Sequence, residues 1–545
     1  MDHAPVYANV SVHDGKAGVN EATMNYGLDA LVILVYFALI LAVGLWPRRK
    51  QDNLEEFALG ARQIPWWAVM ASILAAEISA ATFLGAPEEG FHSRNFAYAQ
   101  LTIGTVLARV IVAYIFIKPY YDYNVTSIYE FLEIRFGTVT KNAASAVFLL
   151  TRVLASGTRL YVAGVVVVLA VEMVTGIKPA PMQEVAIYIG VLAAITILTA
   201  LYTSAGGIKA VVWTDVIQAT VMWGALGYSL YILLHRIPGG WEGAKSYLTG
   251  PKDLTIFDSG MREGLFGWTQ VKFILENEYT LWSAVLGATF ITMATHGTDQ
   301  DMVQRMLTAK NHHKSRLALV LSGLADIPVV LAFLTVGILL YSFYQAHPDP
   351  ALPKKNIFAY WIIHELPSGA RGLLVAGVLA TAMGSLSTAL NALATSFVKD
   401  WWLPYRANNG ANEAYRVRAV KWSTAAFGAA LVVVGALTAY VVVTHPKARI
   451  IPVVLGVFGY TYGSLLGIFL VGLLTKTRGN DFGNALAMIC GFIVVAVFSG
   501  LPNDLLLAMG ASPVKMPGWM PVIEFPWRVL FGTVTTFGVA VCFKK

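Results

Sequence analysis

The sequence predicts an all-α polytopic membrane protein with about 13 transmembrane helices. Three observations carry this reading. Of the 545 residues, 57% are hydrophobic and 13% are charged, against roughly 25% charged in soluble domains, and the mean hydropathy is +0.61. Apolar runs able to cross a hydrocarbon core about 30 Å thick with about 20 helical residues recur along the whole length. The strict alternation over about ten residues that a transmembrane barrel requires does not occur.

Apolar runs read against Gly, Pro and charged breakers place the helices at 27–47, 65–86, 96–122, 141–175, 183–203, 209–235, 277–298, 314–345, 367–398, 418–444, 451–474, 483–499 and 524–543. The fourth and eighth exceed a straight crossing, which calls for tilt or a kink, with Pro328 a candidate for the latter. The first 26 residues are polar and mildly acidic. They lack the basic start and short apolar core of a cleavable signal, and read as an external tail. With the N-terminus outside, the clusters Arg48-Arg49-Lys50, Arg305 to Arg316 and Arg406 to Lys421 all fall on the cytoplasmic side, joined by Lys544-Lys545. These loops account for the net charge of +7 without a nucleic-acid role. Cys490 and Cys542 lie in apolar segments and build neither a disulfide framework nor a metal site. The pairs Trp66-Trp67 and Trp401-Trp402 sit at predicted helix ends, where indoles anchor at the lipid–water boundary.

Several ionisable residues fall inside predicted helices: Arg109, Arg152, Arg159, Arg528, Glu77, Asp215, His296 and Asp326. A charge near the bilayer centre costs at least about 2.5–3.5 kcal/mol, so each needs a partner or a watery cavity. Structural pairing and function are both open for each, and Arg528, near a helix end, can snorkel. Residues 379–397, LATAMGSLSTALNALATSF, place Thr381, Ser385 and Thr388 on one helix face, with Ser387 and Asn391 on the adjoining one. Such residues permit close helix packing and can bond back to their own carbonyls. Alternatively, they supply the oxygens that a dehydrated hard cation needs. Residues 71–90, ASILAAEISAATFLGAPEEG, interrupt an apolar run with Glu77 and Ser79 and then gather Gly85, Pro87 and Gly90. This is the pattern of a helix broken in mid-membrane, whose freed carbonyls make ion and substrate sites. In 206–218, GGIKAVVWTDVIQ, Asp215 lies inside the sixth predicted helix. An unpaired carboxylate there takes up a proton unless a cation keeps it ionised, and pairing with an arginine is the alternative.

The stretches GARQIPWWAVMASILAAEISAATFLG at 60–85, GGIKAVVWTDVIQ at 206–218, GTDQDMVQRMLTAKN at 297–311 and GSLSTALNALATSF at 384–397 resemble the sodium/solute symporter family, relatives of the sodium/glucose, sodium/proline and sodium/sialic acid transporters. The match runs through nearly the whole chain in order, and GG-x-x-AV-x-WTD-x-x-Q is quite specific. The resemblance implies a LeuT-like core, an inverted five-helix repeat with one extra N-terminal and two extra C-terminal helices. It divides the chain into the tail 1–26, an extra helix and cytoplasmic loop 27–64, a first repeat 65–235, an external loop 236–276, a second repeat 277–474 and the C-terminal helices 475–545. It also implies sodium as the coupling ion. One ion would sit between the broken second helix and the ninth, on the carbonyls of Ala75, Ile78 and Thr381 and the hydroxyl of Ser385. Many relatives offer a further hydroxyl beside that serine; here the position is Gly384, and the site loses a ligand. A second sodium would use Asp215, Ser387 and Thr388.

The resemblance places the solute near Glu77, Gln100, Thr102, Thr292, Thr295, His296 and Tyr460, without reproducing the sugar contacts of galactose-carrying relatives. A carboxylate at Glu77 disfavours an anion unless an arginine offsets it, which tilts the expectation toward a neutral sugar or polyol. An amino acid, a monocarboxylate and proton coupling are the alternatives. Asp299 and Asp301 stand at the end of the seventh helix, where gate pairing and substrate contact are both open. The expected function is secondary active symport by alternating access in the plasma (inner) membrane, with the C-terminus cytoplasmic. Its partners are a small organic solute, sodium ions and the lipid bilayer, with no obligate protein partner. A membrane enzyme built on His296 and Asp299 lacks a nucleophile motif, metal constellation or phosphate loop.

Overall fold

The computed structural model describes residues 26–46, 53–406, 412–445 and 456–544. The tail up to residue 25, the Arg48-Arg49-Lys50 cluster, residues 407–411 of the third basic cluster, the start of the eleventh predicted helix and Lys545 lie outside the described residues. Within them the secondary structure is helical, apart from two isolated bridges, Ile64 with Ala309 and Arg478 with Lys544. Among the described residues, ten helices are long and apolar enough to cross a membrane, or eleven when one bent pair counts as a span. The elements that matter below are α1 (Tyr26–Leu45), α2 (Trp66–Glu77), α3 (Ala80–Ser93), α4 (Leu101–Ile115), α5 (Thr138–Thr175), α6 (Pro181–Arg236), α7 (Thr289–Gly297), α8 (Gln300–Met306), α9 (His312–Ala346), α10 (Ala370–Ser396), α11 (Glu413–Thr444), α12 (Val457–Leu474), α13 (Asp481–Phe498) and α14 (Phe525–Cys542).

The thirteen expected crossings differ from this set at two places. The fifth and sixth are the two arms of α6, a helical stretch of 56 residues interrupted at Gly207. Left straight, it would be about 84 Å long, far more than a bilayer. Gly44 of α1 shows that it is not straight, because a Cβ there would lie 2.6 Å from Tyr202 Cβ and 3.2 Å from Thr214 Cγ2. Residues twelve apart on a straight helix stand about 18 Å apart, so the chain doubles back between them. Gly207 makes the turn with φ 55° and ψ −150°, a conformation open essentially to glycine alone. The seventh crossing is a π-helical turn, Ser283–Ala288, running into the short α7. The fourth and eighth are indeed long, 38 residues in α5 and 35 in α9, with Pro328 inside α9.

The break in the second span lies between α2 and α3, which meet at 66°. Ile78 (φ −87°, ψ 100°) and Ser79 (φ −88°, ψ 169°) are extended, and the Ser79 hydroxyl caps α3 by accepting from Thr82 N–H at 3.4 Å. Gly85, Pro87 and Gly90, read from the sequence as part of the interruption, instead lie inside α3. Gly85 faces the open cleft, while Pro87 and Gly90 serve packing. A Cβ at Gly90 would run into the Leu334 carbonyl, and one at Gly337 into that of Pro87, so α3 and α9 meet backbone to backbone.

Helix α10 is the axis of the molecule. Every residue in it except Leu373 and Ser385 is buried, and it packs on α6, α5, α1 and α11 and across the α2–α3 break. The long loop before the seventh crossing is folded, with helices Gly240–Ser246 and Gly267–Leu275. There the Arg262 guanidinium and the Gly260 N–H hold the Asp258 carboxyl below the usual carboxylate range.

Gly207→Ala is expected to destabilise the purified protein by about 1–3 kcal/mol, because an alanine must adopt the same backbone angles. Thermal unfolding in detergent reads this directly, and an unchanged midpoint would show that the turn tolerates a side chain.

Candidate ion and solute site

Both halves of the first expected sodium site come together. Ala75 and Ile78 end α2 at the break, and Thr381, Gly384 and Ser385 of α10 stand opposite, a Cβ at Gly384 lying 3.3 Å from the Ala75 carbonyl. The hydroxyls on α10 donate to carbonyls three residues earlier: Thr381 to Val378 at 2.8 Å, Ser385 to Ala382 at 3.0 Å, Ser387 to Gly384 at 3.0 Å and Thr388 to Ser385 at 2.8 Å. A hydroxyl donating in this way keeps lone pairs free for a cation. Ser385, one of the two partly exposed residues of α10, borders a cavity of about 20 Å³ shared with Ala76, Arg152, Arg159, Asp301 and Ala382. That volume holds one water-sized particle.

Behind this site runs a buried chain of charges. Asp215 receives Arg305 Nη2 at 3.3 Å, and the Ser72 hydroxyl donates to it. Arg305 also reaches Asp301 at 3.1 Å. Arg152 continues the chain to Asp301 at 3.1 Å and to Asp299, which accepts from the Tyr462 hydroxyl as well. Thr388 points at Asp301 from 3.4 Å. The three residues expected at a second sodium therefore divide: Asp215 pairs with arginine, Thr388 faces Asp301, and the Ser387 hydroxyl donates within its own helix. Arg305, grouped by sequence with a cytoplasmic basic cluster, is fully buried. Its signal was its place in α8 four residues after Asp301, on the same helix face. Asp299 and Asp301 are thus charge partners of Arg152 and Arg305.

A cleft of about 310 Å³ opens on the other side of the α2–α3 break, bordered by Glu77, Ser79, Glu89, Tyr98, Arg159 and Tyr279. Glu77 reaches it already paired, since Arg109 donates to both of its oxygens and to Ser322 at 3.2 Å. His296 Nε2 stands 3.6 Å from Glu77, and Thr295 lies 3.1 Å from its Nδ1, with the Thr292 carbonyl behind. These three form a layer behind Glu77. His296 and Asp299, the pair an enzyme would have used, serve separate partners.

Gln100, Thr102 and Tyr460 do not border the cleft. The Gln100 amide donates to the Ala97 and Tyr279 carbonyls and accepts from Asp258 N–H at 3.1 Å, pinning the folded loop. Thr102 donates to the Ala99 carbonyl at 2.7 Å. Tyr460 packs with Val495, Ala496 and Leu501 and accepts from Arg528 at 3.2 Å. The inward residues of α12 are Phe458 and Tyr462; two positions along a helix is about 200°, which puts Tyr460 on the opposite face. Phe458 stacks under Arg159 at 4.7 Å and under Arg152 at 5.2 Å. Arg159, the residue common to the cleft and the small cavity, has no ion pair or hydrogen bond among the described residues.

A helix broken in mid-membrane against a hydroxyl-bearing neighbour, with buried charges beside it, defines the class of protein: a secondary transporter with a LeuT-like core, and not an enzyme. The chain belongs to the sodium:solute symporter family, whose model matches residues 57–491, and sodium is its coupling ion. Among curated relatives, the sodium-dependent multivitamin transporter of Oryctolagus cuniculus is 27% identical over 535 residues, covering 95% of this chain and 77% of that protein. The sodium/sialic acid symporter SiaT of Proteus mirabilis is 25% identical over 482 residues, 88% of this chain and 90% of that one. The human sodium-coupled monocarboxylate transporter 1 is 26% identical over 456 residues, 82% and 68%. The fold matches the substrate-bound outward-open structure of a Na+-coupled sialic acid symporter with a TM-score of 0.76 at 21% identity, covering 94% and 97% of the two chains.

Arg152→Met leaves Asp299 and Asp301 short of a buried partner and should cost about 3–5 kcal/mol of stability. Adding Asp299→Asn should recover part of that loss. Denaturant unfolding of the two variants checks both figures, and a single variant as stable as wild type would remove the charge chain from the account.

Proposed function

We propose that this chain is a plasma-membrane sodium symporter for a small organic carboxylate. One observation carries the reading: Arg159, inside the bilayer and at the cleft, makes no salt bridge among the described residues, and Asp301, which shares its small cavity, is already paired with Arg152 and Arg305. Holding a guanidinium there is costly unless an anion compensates it, and a carboxylate accepts its forked donors in a bidentate geometry. The sugar or polyol expectation rested on Glu77 as a free carboxylate that repels anions. With Arg109 on both its oxygens, Glu77 repels little. Relatives named for monocarboxylates and sialic acid support the same direction.

Sodium binds at the break, on the carbonyls of Ala75, Ile78 and Thr381 and the hydroxyl of Ser385, with Asp215, Ser387 and Thr388 close by. With the N-terminus outside, the cleft beneath Tyr98 and Tyr279 faces outward. The opposite end is closed by the Arg152–Asp299 pairing and by Asp400, which accepts from Ser127 at 2.9 Å, Ser145 at 2.9 Å and Ser396 at 2.6 Å. Sodium shifts the equilibrium between outward and inward states only through a difference in affinity, which ligands drawn from both moving parts supply.

Proteoliposomes with an inward sodium gradient should accumulate short carboxylates such as acetate, lactate or pyruvate, and not glucose or inositol. Losing one charged hydrogen-bonding partner is worth about 1.5–3 kcal/mol, so Arg159→Gln should raise KM for the carboxylate roughly 10- to 100-fold. Asp215→Asn should remove the sodium dependence of uptake. Sodium-driven glucose uptake that Arg159→Gln leaves untouched would overturn the carboxylate assignment.

A further inference from the structure

With the N-terminus outside, the cytoplasmic ends of α10 and α11 enclose a groove of about 470 Å³ that neither the ion site nor the solute site uses. Its shape follows from side-chain size. The π-helical turn Phe397–Trp402 that continues α10 supplies Phe397 and Trp402. Opposite them α11 presents Ala419, Ser423 and Ala426, too small to fill the space, between Tyr415 and Trp422. Tyr415, Ala419, Trp422 and Ala426 are spaced i, i+4, i+7 and i+11 and share one helix face. The Trp402 indole donates to the Tyr415 hydroxyl at 3.0 Å, and Phe397 packs edge-on against Phe427 at 5.7 Å, so the aromatic wall is fixed. From Tyr415 to Ala426 the groove runs roughly 17 Å along α11, close to the depth of one leaflet of a core about 30 Å thick.

The mouth of this groove is basic. Residues 401–426 hold Arg406, Arg416, Arg418 and Lys421 against a single acid, Glu413. Glu413 is already taken, pairing with Arg416 at 2.8 Å and accepting from the Leu54 N–H at 3.0 Å. Arg406 lies over the Trp402 ring at 5.5 Å. Arg418, which lines the groove, and Lys421, three residues further on, have no ion pair or hydrogen bond among the described residues. Trp422 is 72% exposed and belongs with Trp401 and Trp402 to the indoles of the lipid–water boundary. An apolar trough that starts at unpaired cations on this boundary and ends in hydrocarbon matches a ligand with an anionic head and an alkyl tail. A soluble protein would meet only the mouth. By contrast, the groove of about 550 Å³ between α6 and the middle of α11 has no charged residue on its wall, and nothing there selects a head group.

We propose that this groove binds one anionic phospholipid of the adjoining leaflet, with an acyl chain lying along Ala419, Ser423 and Ala426 and the phosphate held by Arg418 and Lys421. Arg418 offers forked donors that two phosphate oxygens accept together, and Lys421 adds a point charge. A zwitterionic lipid brings its own cation to the same place, so head-group charge decides occupancy. Because Phe397 follows directly on α10, the bound lipid braces the end of the helix that covers the α2–α3 break. The site stands apart from the ion and solute readings and does not depend on them.

The test uses purified full-length protein stripped of lipid in detergent, titrated with phosphatidylglycerol or with phosphatidylcholine of the same chains and read by native mass spectrometry. Wild type should take up one phosphatidylglycerol per chain, at a half-saturating concentration at least tenfold below that for phosphatidylcholine. Removing one basic contact is worth roughly fivefold, so Arg418→Gln should raise the phosphatidylglycerol value by about that factor while Arg418→Lys keeps most of the affinity. Ala426→Leu, at an exposed position that tolerates the larger side chain, fills the groove and should weaken the binding of both lipids. Equal binding of the two lipids by wild type, or unchanged titrations for Arg418→Gln and Ala426→Leu, would overturn the site. So would a dimer in the same spectra that Ala426→Leu separates, since a second copy would then occupy the groove.

Discussion

The structure turns on backbone that hydrocarbon cannot accommodate. Between Glu77 and Ala80 the second span leaves helical geometry, and the carbonyls released there need partners that lipid does not provide. α10 covers them, and among the described residues α10 is accordingly the most completely buried of the membrane-spanning helices. Its glycines, alanines and small hydroxyl residues follow from that duty, since only small side chains let it approach the broken span closely. The same approach brings oxygens from both helices within reach of one ion. Packing and ion binding are here two consequences of a single geometric demand.

Charge balance supplies the second constraint. The chain from Asp215 through Arg305, Asp301 and Arg152 to Asp299 joins α6, α8, α5 and the loop before α8, and Tyr462 ties it to α12. It retains one negative charge, while Arg159 beside it retains one positive charge. Among these groups alone the charges balance, and under the proposed symport of sodium with a carboxylate they still balance when both ligands are bound. Either ligand alone would leave an uncompensated charge at membrane depth, where such charges are expensive. That asymmetry is a physical basis for coupling: each ligand improves the electrostatic environment of the other.

The legible features were those that depend on near neighbours along the chain. Glu77 and Ser79 inside an apolar run located the broken span, although Pro87 and Gly90 belong to the packing of α3 against α9 and Gly85 to the cleft wall. The stripe of Thr381, Ser385 and Thr388 lies on the helix that covers the break, and Asp215 is buried beside it. What was misplaced depended on rotation or on distant partners. Tyr460 was taken for a cleft residue, but the helical period turns Phe458 and Tyr462 inward in its place. Arg305 groups with a charged loop by sequence because its spacing from Asp301 is the one local sign of burial, and its pairing with Asp215, 90 positions away, leaves no mark along the chain.

From the sequence alone came the membrane class, most of the succession of spans, the family resemblance with its sodium coupling, and the broken helix with its hydroxyl-bearing neighbour. Each of these is written in composition or in residues a few positions apart, which local geometry converts directly into structure. Tertiary packing decided which charges are paired and which are free. Arg109 neutralises Glu77 across 32 positions, and Arg152 reaches Asp299 across 147, while Arg159, two turns further along the same face of α5, is left to the cleft. Electrostatic pairing acts through space and not along the chain, so the chemistry of the solute site emerged only once the helices were assembled.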